Sequence, residues 1–236
     1  MKAMILASGV GSRMYPLTDE IPKCLIKLNG KTILGHELDH LWSVGIKRAI
    51  ITTGPFEEKI LEFMKKNYPK FNVEYVKNPK YEETNYIYSM FMAKDKIDDD
   101  ILLMHSDMVF DRVLLKRLLK SKEKNAVLLN NEKEPPEKDF KGRVEDGILK
   151  EIGVDISGKN CFFLAPIYIF SKDAFLRWMQ EIERFVKEGK TEVYSENAFN
   201  EISKEIRLKP VYFGNEFCME IDTLEDLEIA KKKLAY

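Results

Sequence analysis

The small-residue run Ala7-Ser8-Gly9-Val10-Gly11-Ser12 ends in Arg13, and Pro22-Lys23 follows after one short segment. Backbone N–H groups approach phosphate oxygens closely only where side chains are small. An arginine grips phosphate through paired hydrogen bonds, and a lysine supplies a point charge. Such a set suits the holding of a polyphosphate and offsets the charge that builds as part of it leaves. Two other stretches carry carboxylates. Ile101-Leu102-Leu103-Met104-His105-Ser106-Asp107 runs an apolar segment into an aspartate, and Glu220-Ile221-Asp222 puts two carboxylates on alternate positions. Alternate residues of a strand share one face, and carboxylates at strand ends suit Mg²⁺. Asp222 also precedes Thr223-Leu224-Glu225-Asp226-Leu227, so capping of the last helix is its competing role.

These groups need a frame. Met1 to Leu6 is an apolar run fit for a buried strand, and Arg48 to Thr53, Asn72 to Val76, Ile101 to Met104 and Ala126 to Leu129 are further strands. Between them, Lys31 to Trp42, Phe56 to Lys66, Asn85 to Lys94 and Asp111 to Leu119 place apolar residues at helical spacing. Strands alternating with helices predict an α/β fold with a mainly parallel sheet flanked by helices. Asn131 to Lys141 is polar and holds Pro135-Pro136, which predicts a loop or flap. Arg143 to Ile152 is a hairpin turning at Asp146-Gly147. Phe162 to Phe170 is a long apolar strand, and Ser195 is the expected N-cap of a helix to Glu205. Residues 1–236 are expected to form a single domain, with 131–170 as a flap and β-insertion over the site.

The chain carries 38 basic and 39 acidic residues, so it lacks the basic footprint of a nucleic-acid partner. No apolar run approaches the ~20 residues that cross a bilayer. Cys24, Cys161 and Cys218 are scattered, with no CxxC pair, which predicts free thiols rather than disulfides or a zinc site. A soluble, cytoplasmic protein is expected. His36 and His40 share a helix face without a third ligand near them, so a packing or surface role is expected; His105 could support a metal held by Asp107.

Three phosphate-binding patterns compete for the opening loop. A dinucleotide fold needs a third glycine where Met14 stands, and an acid where Thr53-Gly54 stands. A nicotinamide-dependent oxidoreductase is thereby disfavoured. Gly30-Lys31-Thr32 offers the tail of a Walker A loop, but Leu25 occupies the partner glycine position. Leu6-Ala7-Ser8-Gly9-Val10-Gly11-Ser12-Arg13 with Pro22-Lys23 fits the loop of the nucleoside-triphosphate transferases, with Ser8 where alanine is commoner.

With Asn78-Pro79-Lys80-Tyr81, Asn85-Tyr86-Ile87-Tyr88-Ser89, Ser106-Asp107, Tyr194-Ser195-Glu196-Asn197 and Glu220 to Asp226, the whole chain resembles the sugar-nucleotidyltransferase-like superfamily. Within it, the chain is similar to bacterial phosphocholine cytidylyltransferase-like enzymes. The resemblance implies a Rossmann-like, nucleotide-diphospho-sugar transferase fold with a small β-region over the active site. It implies a transferase that takes CTP and a small phosphorylated acceptor with Mg²⁺, releasing pyrophosphate and a CDP-linked product. By the same resemblance, Ala7, Ser8, Gly9, Val10, Gly11, Ser12, Tyr86 and Ser89 hold the nucleotide, and Asp107 and Asp222 ligate the metal. Arg13, Lys23 and Glu220 would serve catalysis, and Tyr168, Tyr194 and Glu196, with Phe163 near them, would line the acceptor side. Ser195 stands where that type commonly has tryptophan, which thins the expected aromatic box, while Trp42 and Trp178 fall on helix core faces. A sugar- or inositol-phosphate transferase using CTP or UTP, and a non-catalytic nucleotide-binding module, are the alternatives.

Overall fold

The computed structural model describes residues 1–234. In chain order its strands and helices are β1 (Lys2–Ala7), β2 (Lys27–Leu28), β3 (Lys31–Thr32), α1 (Ile33–Ser43), β4 (Arg48–Thr53), α2 (Glu57–Asn67), β5 (Asn72–Lys77) and α3 (Tyr86–Met92). Then come β6 (Ile101–His105), β7 (Met108–Phe110), α4 (Arg112–Lys120), β8 (Ala126–Asn130), β9 (Lys141–Glu145), β10 (Ile148–Gly153) and β11 (Cys161–Phe170). The last are α5 (Lys172–Lys187), α6 (Ser195–Glu201), β12 (Lys209–Phe213), β13 (Cys218–Glu220) and α7 (Leu224–Lys233).

A nine-stranded sheet carries the fold. Strand β1 lies between β4 and β6, parallel to both, and β5 extends the sheet beyond β4. On the other side β11 runs antiparallel to β6, β8 and β9, so the sheet is mixed but mainly parallel around β1. The alternation of β1 explains the two-sided burial. Met4 and Leu6 join the apolar layer that contains α3, α5 and α6, while Ala3, Ile5 and Ala7 join the layer that contains α1, α2 and α4. A smaller cluster of Met14, Ile26, Leu28, Ile33, Val109, Ile221 and Leu227 seats α7 against the β2–β3 hairpin.

The Asp146-Gly147 turn has positive φ at both residues, as a two-residue hairpin requires. Within 131–170, the β9–β10 hairpin sits at the end of the sheet, whereas β11 runs between β6 and β8. Helix α6 begins at Ser195, with Tyr194 as its cap; Ser195 is buried and its hydroxyl donates to Glu196, so it is not the N-cap its type suggested. Asp222 does not cap α7 either. Thr223 does so, in a reciprocal capping box with Asp226. Trp178 is fully buried as expected, but Trp42 is partly exposed with Lys47 over its ring.

Candidate active site

The carboxyl ends of β1, β4 and β6 meet at one edge of the sheet, where ligands sit in open α/β folds. The glycine loop leaves β1 there, Gly54 follows β4, and Ser106-Asp107 follows β6. A cleft of about 700 Å³ opens over this edge. Its walls are the loop from Ala7 to Arg13, Lys23, the segment from Tyr81 to Tyr86, His105 to Asp107, and Tyr194, Glu220 and Asp222.

The loop's conformation follows from its small residues. Gly11 is left-handed with φ +70°, and an added Cβ would lie 3.2 Å from both Lys23 and Thr18. The Thr18 hydroxyl fixes the turn by donating to the Gly11 carbonyl at 2.9 Å. At Gly54 a Cβ would stand 2.2 Å from the Ser8 carbonyl oxygen, a backbone atom with no room to yield. Gly54→Ala is therefore expected to lose about 1–3 kcal/mol of stability and to push the loop out of shape. Thermal unfolding and calorimetric titration with inorganic tripolyphosphate read the two effects; an unchanged polyphosphate affinity would show that the loop tolerates the push.

Asp107, Glu220 and Asp222 each offer a carboxylate oxygen within 4.8 Å of the others. Lys23 Nζ lies between two of them, 2.7 Å from Asp107 Oδ2 and 2.6 Å from Asp222 Oδ1. Arg13 Nη2 reaches Asp222 Oδ2 at 3.1 Å while most of its side chain stays exposed. Burial disfavours the Lys23 ammonium, but the two aspartates outweigh it and raise its pKa above the usual lysine value. Burial likewise acts against the Asp107 carboxylate, and Lys23 with His105 outweighs it, holding that carboxyl below its usual range. Glu220 goes the other way: burial, then Asp107, Asp139 and Asp222, push it well above the usual carboxylate range.

The carboxylates gather around a two-stranded ribbon outside the main sheet, Glu220 within it and Asp107 and Asp222 at its ends. Strand β7 pairs antiparallel with β13, Met108 opposite Glu220, and the Ile221 N–H donates to the Asp107 carbonyl at 2.9 Å. The pairing brings Asp107 beside Glu220 and Asp222 across a long sequence separation.

The opposite wall is aromatic. Tyr86 and Tyr194 have ring centroids 5.9 Å apart, Phe140 meets Tyr194 edge-on at 4.9 Å, and His105 meets Tyr86 at 4.7 Å. Behind this wall, buried Glu196 accepts from Tyr86 at 2.5 Å, from Tyr168 at 3.1 Å and from Ser195 at 3.1 Å. Burial and then Glu196 push both phenols well above their usual range, so the tyrosines stay protonated donors.

The structure thus brings the loop, Arg13, Lys23, Tyr86, Asp107, Tyr194, Glu220 and Asp222 to one cleft. Tyr168 and Glu196 lie behind its wall and support Tyr86. Phe163 packs in the core beneath the sheet. Ser89 is fully buried, sharing a 2.6 Å hydrogen bond with Ser8 and accepting from Asn78 at 3.0 Å, so it braces the loop from behind.

Lys138, Phe140 and Glu192 also line the cleft, and nothing in their local sequence marked them. Lys138 donates to both Asp226 oxygens, at 2.8 and 2.6 Å, tying the 131–140 loop to the cap of α7. Next to it, burial pushes the Asp139 carboxyl up to about 6 against the pull of Lys138. His40 does not face a metal: its ring donates to the Phe110 carbonyl at 2.9 Å. All three cysteines are unpaired. Among the described residues, no helix is long and apolar enough to cross a membrane.

A sequence profile described as nucleotidyl transferase matches residues 2–147, which include the loop, Lys23 and Asp107. The chain belongs to the nucleotidyl transferase family. Over 98% of its length it is 29% identical to the bifunctional IPC transferase and DIPP synthase of Aquifex aeolicus, of which it covers 51%. It is 31% identical to the choline-phosphate cytidylyltransferase of Streptococcus pneumoniae over 51% of each chain. The chain spans about half the length of these two curated relatives. Among solved structures, the inositol-1-phosphate CTP transferase from T. maritima superposes with a TM-score of 0.82 at 22% identity, covering 98% of this chain and 95% of that one. That likeness shows that the nucleotidyl transferase fold is shared.

Proposed function

We propose that this nucleotidyl transferase family member is a Mg²⁺-dependent cytidylyltransferase. It takes CTP and a small phosphorylated acceptor of the phosphocholine kind, and it releases pyrophosphate and a CDP-linked product. The observation that carries this reading is the meeting of Lys23 with Asp107, Glu220 and Asp222 beside the glycine loop. Membership of the family supports the transfer chemistry, and the curated choline-phosphate cytidylyltransferase supports CTP over other donors. The three unpaired cysteines agree with a reducing, cytoplasmic setting.

The acidic cluster fits a divalent cation. Asp107 Oδ1 and Glu220 Oε1 are buried without a hydrogen-bond partner, an arrangement that a hard cation with oxygen ligands would satisfy. Asp107, Glu220 and Asp222 would hold Mg²⁺, which when bound supplies charge neutralisation at the phosphates. The chain's own groups do the rest. Backbone N–H groups of the loop orient the triphosphate, and Arg13 and Lys23 oppose the negative charge that grows on departing pyrophosphate. The acceptor's phosphate oxygen attacks the α-phosphorus in line. It is already ionised, so no side chain needs to remove a proton, and catalysis rests on positioning and charge. The aromatic wall of Tyr86, Phe140 and Tyr194 offers ring faces to a cationic acceptor head.

Pyrophosphate release tests the proposal, with four NTPs set against phosphocholine, phosphoethanolamine, aminoethylphosphonate, inositol phosphate and hexose 1-phosphates. CTP with phosphocholine is expected to give the fastest release. CTP or UTP with inositol phosphate or a hexose 1-phosphate would move the acceptor to a polyol. CTP binding without release for any acceptor would make the chain a binding module.

A further inference from the structure

The ribbon of β7 and β13 ends in Glu220 and is flanked by Asp107, just before β7, and Asp222, just after β13, yet it is a sheet separate from the nine-stranded one. Something must hold it at a fixed distance from the glycine loop. Helix α1 packs on β7 and on the Lys23–Leu25 turn together. Its buried face reads Ile33, Leu34, Leu38 and Leu41, with one carboxylate among them, Glu37.

Glu37 has no solvent exposure. Its Oε1 accepts the Met108 N–H at 3.2 Å, the amide that follows Asp107, and its Oε2 has no hydrogen-bond partner. One turn along, His40 donates to the Phe110 carbonyl at 2.9 Å. Met108 and Phe110 are alternate residues of β7, and Glu37 and His40 are three apart on α1, so the two contacts form a matched pair. Burying a carboxyl group with one oxygen unsatisfied is unfavourable, and an apolar residue would complete the α1 stripe without that penalty. The acid gives the helix a hydrogen-bond acceptor directly beneath the Asp107–Met108 peptide.

We propose that Glu37 is a positioning residue. With His40 it docks the carboxylate ribbon onto α1 and so sets the spacing of Asp107, Glu220 and Asp222. The inference rests on the reading of that cluster as a cation site. Glu37 touches neither the cation's ligands nor the substrates; it acts through the backbone between them. Outer partners of this kind typically change metal affinity or activity about 10–100-fold when removed.

The test measures Mn²⁺ binding by electron paramagnetic resonance, with and without CTP, in the wild type, Glu37→Gln and Glu37→Met, alongside thermal unfolding and the metal dependence of pyrophosphate release. Glutamine keeps the acceptor; methionine fills a similar space without one. Glu37→Gln is expected to bind Mn²⁺ within about twofold of the wild type, and a folded Glu37→Met about tenfold or more weakly, with the CTP requirement for half-maximal rate much less changed than the metal requirement. If Glu37→Met does not fold, His40→Phe removes the second anchor and is expected to weaken Mn²⁺ binding in the same way. Wild-type Mn²⁺ affinity in the folded Glu37→Met or His40→Phe variant would overturn the inference. Equal weakening in Glu37→Gln and Glu37→Met would also overturn it, because the acceptor would not be the feature that matters. A wild-type protein that binds no Mn²⁺, even with CTP, would overturn the cation reading itself.

Discussion

Replacing Asp107 with asparagine is expected to reduce CTP-dependent pyrophosphate release by about 10³-fold while the protein stays folded. Asparagine keeps the shape of the side chain and removes its charge. Asp107 lies in the two-residue turn between β6 and β7, and its Oδ1 is one of two buried carboxylate oxygens in the cluster with no internal partner. In the proposed centre this residue has no substitute, since Glu220 and Asp222 approach from the end of β13 and the segment just after it. The fold is expected to survive because Lys23 retains Asp222 at 2.6 Å and the Asp107 backbone still accepts from Ile221. Steady-state rates with CTP and Mg²⁺, with circular dichroism and a melting curve, check both halves. An unimpaired Asp107→Asn variant would remove Asp107 from the metal centre.

Lys23→Met should show two effects of opposite dependence on metal. Turnover should fall by about 10²–10³-fold, because the cation that opposes charge on the leaving group is gone. Without divalent cation the variant should also be less stable by about 3 kcal/mol, the typical result of removing one partner from a buried ion pair. Asp107, Glu220 and Asp222 then face one another within 4.8 Å, and among the described residues the exposed Arg13, on Asp222, is their remaining salt-bridge partner. Mg²⁺ is expected to restore that stability, so its effect on melting temperature should be larger in Lys23→Met than in the wild type. A variant that melts as the wild type does, with and without Mg²⁺, would contradict this balance of charges.

The parts of the site that could be found in the sequence were those announced by local chemistry. A glycine loop after an apolar strand, a Pro-Lys pair and aspartates at strand ends each have a short-range signature, and these groups do share the cleft. Pairings across long separations left no such mark. Met108-Val109-Phe110 is too short to stand out as a strand, yet its pairing with Cys218-Met219-Glu220 assembles the acidic cluster. Side-chain direction was also hidden. Ser89, Tyr168 and Glu196 fall in the segments expected near substrates, but the turn of α3, the pleat of β11 and the start of α6 direct them behind the cleft wall. Lys138 and Phe140 came from a polar loop whose path depends on Lys138 meeting Asp226 and on Lys141 Nζ donating to the Glu137, Asp139 and Val154 carbonyls. Glu37 was different: an acid inside an apolar helical stripe is itself a visible anomaly, although its partner on β7 is not.

In the proposed reaction this cleft transfers the cytidylyl group to a phosphate oxygen. Its most direct test follows the label from CTP carrying ³²P at the α-position, incubated with Mg²⁺ and the acceptor panel. The label is expected to move into a CDP-linked product while the pyrophosphate released stays unlabelled, and the transfer should vanish in Asp107→Asn. Label that remains in CTP with every acceptor, or a γ-phosphate label that moves to the acceptor instead, would contradict attack at the α-phosphorus and the function built on it.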